Sequence, residues 1–177
     1  MVVGAGMVGA ACAYYLARAG LDVLVLDRGP VGSGTTSRGE GNVLVSDKAP
    51  GPELHLALLS QRLWRQLGQD VGTDAFELES KGGVVVATSD GALAGLRDLA
   101  SGQASCGVDV EEVGPARLRQ LEPHLAPGLP GGVLYPQDLQ VMPVLAAAAL
   151  VAEARRLGAE VRTGVDVTGV ELDDDGA

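Results

Sequence analysis

The sequence predicts an α/β fold with a parallel βαβ core, part of a second lobe containing an antiparallel sheet, and a return to the core. Three observations carry this. From Val2 to Asp27 the pattern runs apolar strand, glycine turn, helix over Met7 to Ala19 and apolar, β-branched strand over Leu21 to Leu26. Phe76 to Leu78 and Val84 to Thr88 flank Lys81, Gly82 and Gly83 and read as two strands outside that rhythm. Pro143 opens a helix to Leu157, Gly158 stops it, and Val161 starts a strand, so α/β alternation resumes.

Between these landmarks the elements follow in order. Only Met1, Val2 and Val3 precede Gly4, fewer than the about four to eight apolar residues of a buried strand, so the first strand is expected to be clipped. Gly29 to Asn42 is a long loop rich in Gly, Ser and Thr. Pro52 suits the first turn of a helix to Leu67, and Leu56, Leu59, Leu63 and Leu67 recur on one face as a core stripe. Ala92 to Ala104 reads as helix, Val108 to Val113 as extended chain and Pro115 to Leu121 as helix. Pro123, Pro127 and Pro130 then mark loops before a short strand at Val133 to Tyr135. Glu160 to Thr163 and Val165 to Leu172 read as strands, and Asp173 to Gly176 as the turn of a hairpin whose second arm is cut off.

Composition narrows the function. The 177 residues bound the chain to one domain or a lobe and a half, with 46% hydrophobic residues, enough for a core. Glycine, at 26 residues, is abundant and aromatics are only 3%, which favours backbone approach to a ligand over aromatic packing. A net charge of -10 without a basic cluster argues against nucleic acid. Cys12 and Cys106 have no metal-ligand or disulfide-framework spacing, and no apolar run is long enough for a transmembrane segment. A cytoplasmic protein with no metal site is expected.

The chemistry is concentrated near the start. Gly4, Gly6 and Gly9 have the G-x-G-x-x-G spacing at a strand-to-helix turn. The first glycine permits the turn, the second clears space for a diphosphate, and the third lets helix and strand approach. Free N–H groups and the helix dipole favour the anion. Asp27 closes the next strand at the distance where a carboxylate accepts ribose hydroxyls. It argues against a 2′-phosphate, although Arg28 beside it offsets some charge, and leaves NAD or FAD as the nucleotide.

The loop Gly32-Ser33-Gly34-Thr35-Thr36-Ser37-Arg38-Gly39-Glu40-Gly41-Asn42, with Val43 to Val45 after it, separates the two. Together with Val2 to Gly9 and Asp27-Arg28, it resembles the FAD-dependent amino acid oxidases and dehydrogenases, the superfamily of glycine oxidase, sarcosine oxidase and D-amino acid dehydrogenase. Asp138 to Pro143 with its helix, Gly158-Ala159 and the strand through Val167 extend the likeness along nearly the whole chain.

That resemblance implies a Rossmann-like FAD-binding core at residues 1–75, a partial substrate lobe at 76–138 and a return to the FAD-binding domain at 139–177. It implies noncovalent FAD whose ribose meets Asp27, with Thr35, Thr36 and Ser37 near the pyrophosphate, the segment to Asn42 running toward the flavin, and a backbone group of Val167 on adenine. No histidine lies between Gly29 and Asn42, where relatives with a histidyl flavin carry one. The implied reaction oxidises the C–N bond of an amino acid or related amine to an imine, with hydride passing to FAD. Other readings are a noncatalytic FAD-binding subunit with a partner subunit, or an inactive fragment lacking a C-terminal half.

No catalytic residue is identified. Arg38 is a possible anion binder or a solvated loop residue. His55, His124, Trp64 and Tyr135 are expected to be structural, Cys12 a small buried hydrophobe, and Asp173 to Asp175 a solvated turn.

Overall fold

The computed structural model describes residues 1–171 and divides them into two compact units. One comprises Met1–Gly41, Val71–Glu77 and the chain from Met142; the other comprises Asn42–Asp70 and Leu78–Val141.

The first unit holds a parallel sheet. Strand β1 (Val2–Val3) leads through helix α1 (Met7–Arg18) to β2 (Leu24–Asp27). Near the other end of the chain, α5 (Pro143–Arg156) precedes β8 (Glu160–Thr163), and the strand order is β1-β2-β8. Val2, Val25 and Val161 lie in register, as do Val3, Leu26 and Arg162. Residues alternate between sheet faces, and the first set joins a core of Ala5, Ala13, Ala17, Val23, Ala154 and Ala159. Small side chains on both helices let α1 and α5 pack closely: Ala10, Ala13 and Ala17 are buried on one, Ala146, Ala147 and Ala154 on the other.

In the second unit, β3 (Asn42–Val43) pairs antiparallel with β7 (Leu139–Gln140). A separate antiparallel sheet has the order β4-β6-β5, from Gly83–Ala87, Gly131–Tyr135 and Glu111–Val113 respectively. The helices are α2 (Pro52–Val71), α3 (Asp90–Ser105) and α4 (Pro115–Leu121). The Ser89 hydroxyl caps α3 by accepting the Ala92 N–H at 3.2 Å, and Pro115 starts α4 where a missing N–H costs nothing. Val45, Leu54, Ala100, Val108, Val133 and Tyr135 form the core.

Four expectations are corrected. Leu56, Leu59 and Leu63 are 67%, 43% and 44% exposed, and only Leu67 of that stripe is buried; α2 instead buries Leu54, Gln61, Leu67 and Gly68. Phe76 to Leu78 is not a strand: a 3-10 turn at Thr73–Ala75 ends at Phe76, Glu77 has a left-handed φ of 52°, and β4 pairs with β6. Val165 to Glu171 forms no strand; the Val165 N–H donates to Asp27 O at 3.0 Å, and the chain then leaves the sheet. Leu172 and the acidic turn at Asp173 to Gly176 lie outside the described residues. Cys12 is exposed, because it lies on the side of α1 away from buried Ala10, Ala13 and Ala17.

Candidate functional site

The glycine turn is built as its spacing requires. Gly4 adopts φ +100°, open to glycine at little cost, and its N–H donates to Leu26 O at 2.7 Å. A Cβ on Gly9 would lie 1.9 Å from the Gly4 carbonyl oxygen, so only glycine lets the first turn of α1 sit against the end of β1. Gly6 precedes the helix in extended conformation. The amino end of α1 opens on a crevice of about 880 Å³ that Gly4, Gly6, Gly9, Asp27, Arg28, Thr35 and Thr36 line. Its size lies within the about 300–1,000 Å³ of small-molecule and cofactor sites.

Asp27 holds the two sides of this crevice together. Its Oδ2 accepts the Ala5 N–H at 2.6 Å and its Oδ1 accepts the Gly29 N–H at 2.7 Å. The Ala5 bond is the main cause, and the Gly29 bond the next, that keeps this carboxyl below the ordinary aspartate pKa; burial opposes them less strongly, and the Arg28 guanidinium adds the smallest contribution, in the lowering direction. Each oxygen has a further lone pair for a ligand hydroxyl.

Thr36 reaches the helix from the loop. Its Oγ1 accepts the Met7 N–H at 2.9 Å, and a Cβ on Gly6 would lie 3.1 Å from the same oxygen. Having accepted a bond, the hydroxyl retains its proton for donation to an anion. The Ala10 N–H donates to Gly6 O, which leaves the first-turn donors of Val8 and Gly9 on the crevice wall. Residues Thr35–Arg38 form a 3-10 turn within the polar loop.

The other site residues separate. Ser37 directs its hydroxyl into its own loop, donating to Gly34 O at 2.8 Å and Ser33 O at 3.1 Å. Val167 lines an adjoining crevice of about 260 Å³ that shares Val3, Gly4, Asp27 and Arg28 with the first. Asn42 belongs to the second unit, where it opens β3. Arg38 is exposed and lines neither crevice. Sequence reasoning missed Ala5 and Gly29, whose contribution is a backbone N–H and leaves no side-chain signal. It also missed Ser33, Gly34 and Cys12 on the crevice wall.

Comparison with known proteins gives a consistent picture. The family described as FAD dependent oxidoreductase matches residues 1–177. A glycine oxidase of Bacillus licheniformis is 29% identical over 97% of this chain and 46% of its own length. The mitochondrial pyruvate dehydrogenase phosphatase regulatory subunit of Mus musculus is also 29% identical, over 98% of this chain and 21% of its own length. The fold matches that of L-alpha-glycerophosphate oxidase from Mycoplasma pneumoniae with FAD bound, at a TM-score of 0.89 and 22% identity, covering 98% of this chain and 46% of that one. The chain thus spans about half or less of the length of these relatives.

Proposed function

The chain belongs to the FAD dependent oxidoreductase family, its cofactor is FAD, and on that premise we propose that it forms the N-terminal portion of an enzyme oxidising an amino acid or related amine at its C–N bond. The observation that carries the reading is the convergence of the α1 amino end, Thr36 and Asp27 on one crevice. The Val8 and Gly9 N–H groups and the Thr36 hydroxyl hold the pyrophosphate, Asp27 accepts the ribose hydroxyls, and Val167 meets adenine through its backbone. Gly6 keeps a side chain out of the diphosphate's path, while Gly4 permits the turn and Gly9 lets α1 approach the end of β1. Arg28, Thr35 and Ser37 complete the cofactor set in this unit.

FAD supplies the hydride acceptor when bound. This chain's own residues bind and orient it, and residues 76–138 form part of the substrate lobe. Further substrate-binding groups are assigned to what corresponds to the second half of the glycine oxidase relatives, since this chain spans 46% of such a relative's length. No helix among the described residues is long and apolar enough to cross a membrane. A cytoplasmic location is part of the proposal.

The likeness to a regulatory subunit favours a second reading, a noncatalytic FAD-binding subunit that works with a partner. Titrating the chain with FAD and following flavin fluorescence tests what both share. Saturable, weak binding that Asp27→Ala weakens by about 1–3 kcal/mol is expected, since the carboxylate makes charge-assisted bonds. Equal affinity of variant and parent would remove Asp27 from the site. Anaerobic bleaching of bound flavin by amino acids, tested with the complementary half present, separates enzyme from subunit.

A further inference from the structure

All three strands of the β4-β6-β5 sheet turn over at one end. Gly131, the first residue of β6, lies opposite Ala87, the last of β4, and Gly132 lies opposite Val113, the last of β5. The start of α3 at Asp90, the start of α4 at Pro115 and the chain entering β6 after Pro130 therefore meet at this end. Glycine lets the strands close up there: a Cβ on Gly131 would lie 2.6 Å from the Val113 carbonyl oxygen. All of these residues belong to the second unit.

The three segments enclose a cavity of about 480 Å³. Leu118, Leu125, Leu129 and Pro130 give it apolar walls, and Asp90 and Arg119 line it as well. Such a volume, with apolar walls and a few charged groups, is that of a small-molecule site. The charges are not spent elsewhere. Among the described residues, Arg97 of α3 pairs with Glu112 and Arg117 of α4 with Glu111, whereas Arg119 has no ion-pair partner. Asp90 favours the amino end of α3 by its charge, the side-chain cap there being the Ser89 hydroxyl. Asp90 and Arg119 thus line one cavity with opposite charges and without bonding to each other.

We propose that this cavity is a second small-molecule site, for a free amino acid with a branched aliphatic side chain. Arg119 takes the carboxylate, for which the guanidinium fork is suited, Asp90 takes the ammonium group, and the leucines and Pro130 take the side chain. A simple carboxylate would meet Asp90 as a like charge, and a simple amine would meet Arg119 as one, so the pair selects a zwitterion. The site shares no residue with the cofactor crevice and does not depend on the flavin assignment.

Amide NMR of the 177-residue chain without flavin reads the site through Leu118, Arg119, Ala126 and Gly128. Leucine should shift these signals saturably, with a dissociation constant on the order of 1 mM. Isocaproate lacks the ammonium group, isoamylamine the carboxylate and glycine the side chain, and each should bind about fivefold more weakly or worse. Arg119→Gln and Asp90→Asn, both at exposed positions, should each weaken leucine binding by about fivefold. No saturable shift at these residues would overturn the proposal, and so would shifts confined to Gly4–Gly9 and Thr36. Equal binding of leucine and isocaproate, or leucine binding unaltered in both variants, would overturn it too, since the charged pair would then select nothing.

Discussion

The Thr36 hydroxyl accepts the N–H of Met7 at 2.9 Å, so a side chain from the polar loop caps the first turn of a helix that begins in the glycine motif. Helix amino ends leave their first N–H groups without intrahelical partners, and a hydroxyl acceptor there stabilises the helix. Thr36→Val keeps the shape and removes the acceptor. It should cost about 1 kcal/mol in urea unfolding, with Thr36→Ser restoring most of the loss. A Val variant as stable as the parent would show that the cap contributes nothing.

Asp27 gives a pH signature. Its carboxyl titrates below the ordinary value of about 3.9 because the Ala5 and Gly29 N–H groups favour the charged form. Its contribution to stability is therefore fully present above about pH 3.9 and is lost as pH falls through the depressed folded value. Urea midpoints between neutral and acid pH should fall more steeply in the parent than in Asp27→Asn, with the difference between them confined to the acid limb.

Gly9 separates close packing from conformational freedom. Gly9→Ala would force a methyl group against the Gly4 carbonyl and should cost about 3 kcal/mol or unfold the chain. Gly95→Ala, in an exposed interior turn of α3 with nothing within 4 Å of the new methyl, should instead stabilise by about 0.5–1 kcal/mol. Thermal unfolding of the two variants checks both signs.

The α2 faces give a further contrast. Leu54→Ala removes a side chain with 0% exposure and should cost about 2–5 kcal/mol. Leu59→Ser, on the exposed stripe, should change the chain's stability by no more than about 0.5 kcal/mol. Similar losses in denaturant titrations would return the stripe to the core.

Tyr135→Phe tests the Gln103 amide. Removing the hydroxyl leaves Gln103 Oε1 buried without its donor, at a cost of about 1–3 kcal/mol. Burial, and secondarily the Asp138 charge, raises the Tyr135 pKa above the ordinary tyrosine value, so in the parent this hydroxyl remains a donor through neutral pH. Spectrophotometric titration should show one tyrosine ionising after the others.

Local chemistry made much of this legible. Pro115 and the following helical pattern marked α4 at its observed bounds, and the glycines and Asp27 marked the crevice because each acts through its own conformation or charge. The facing of α2 was hidden: leucines at 56, 59 and 63 have helical spacing, but burial depends on what packs against them, and Gln61 proved more buried than any of the three. Phe76 to Leu78 looked extended by composition, yet the preceding turn and the left-handed Glu77 redirect the chain. Asp138 had no sequence signal for its bond to Val45, since the two are brought together only by the fold.

The register of β2 with β8, in which Leu24 meets Glu160, also orders events during synthesis. The central strand gains its second neighbour only after residue 160 has left the ribosome, while the glycine turn emerges first. Domains generally fold as units on emergence, and such distant pairings close slowly. Nascent chains stalled before Glu160 should therefore remain susceptible to protease and depend on chaperones, however well α1 has already formed.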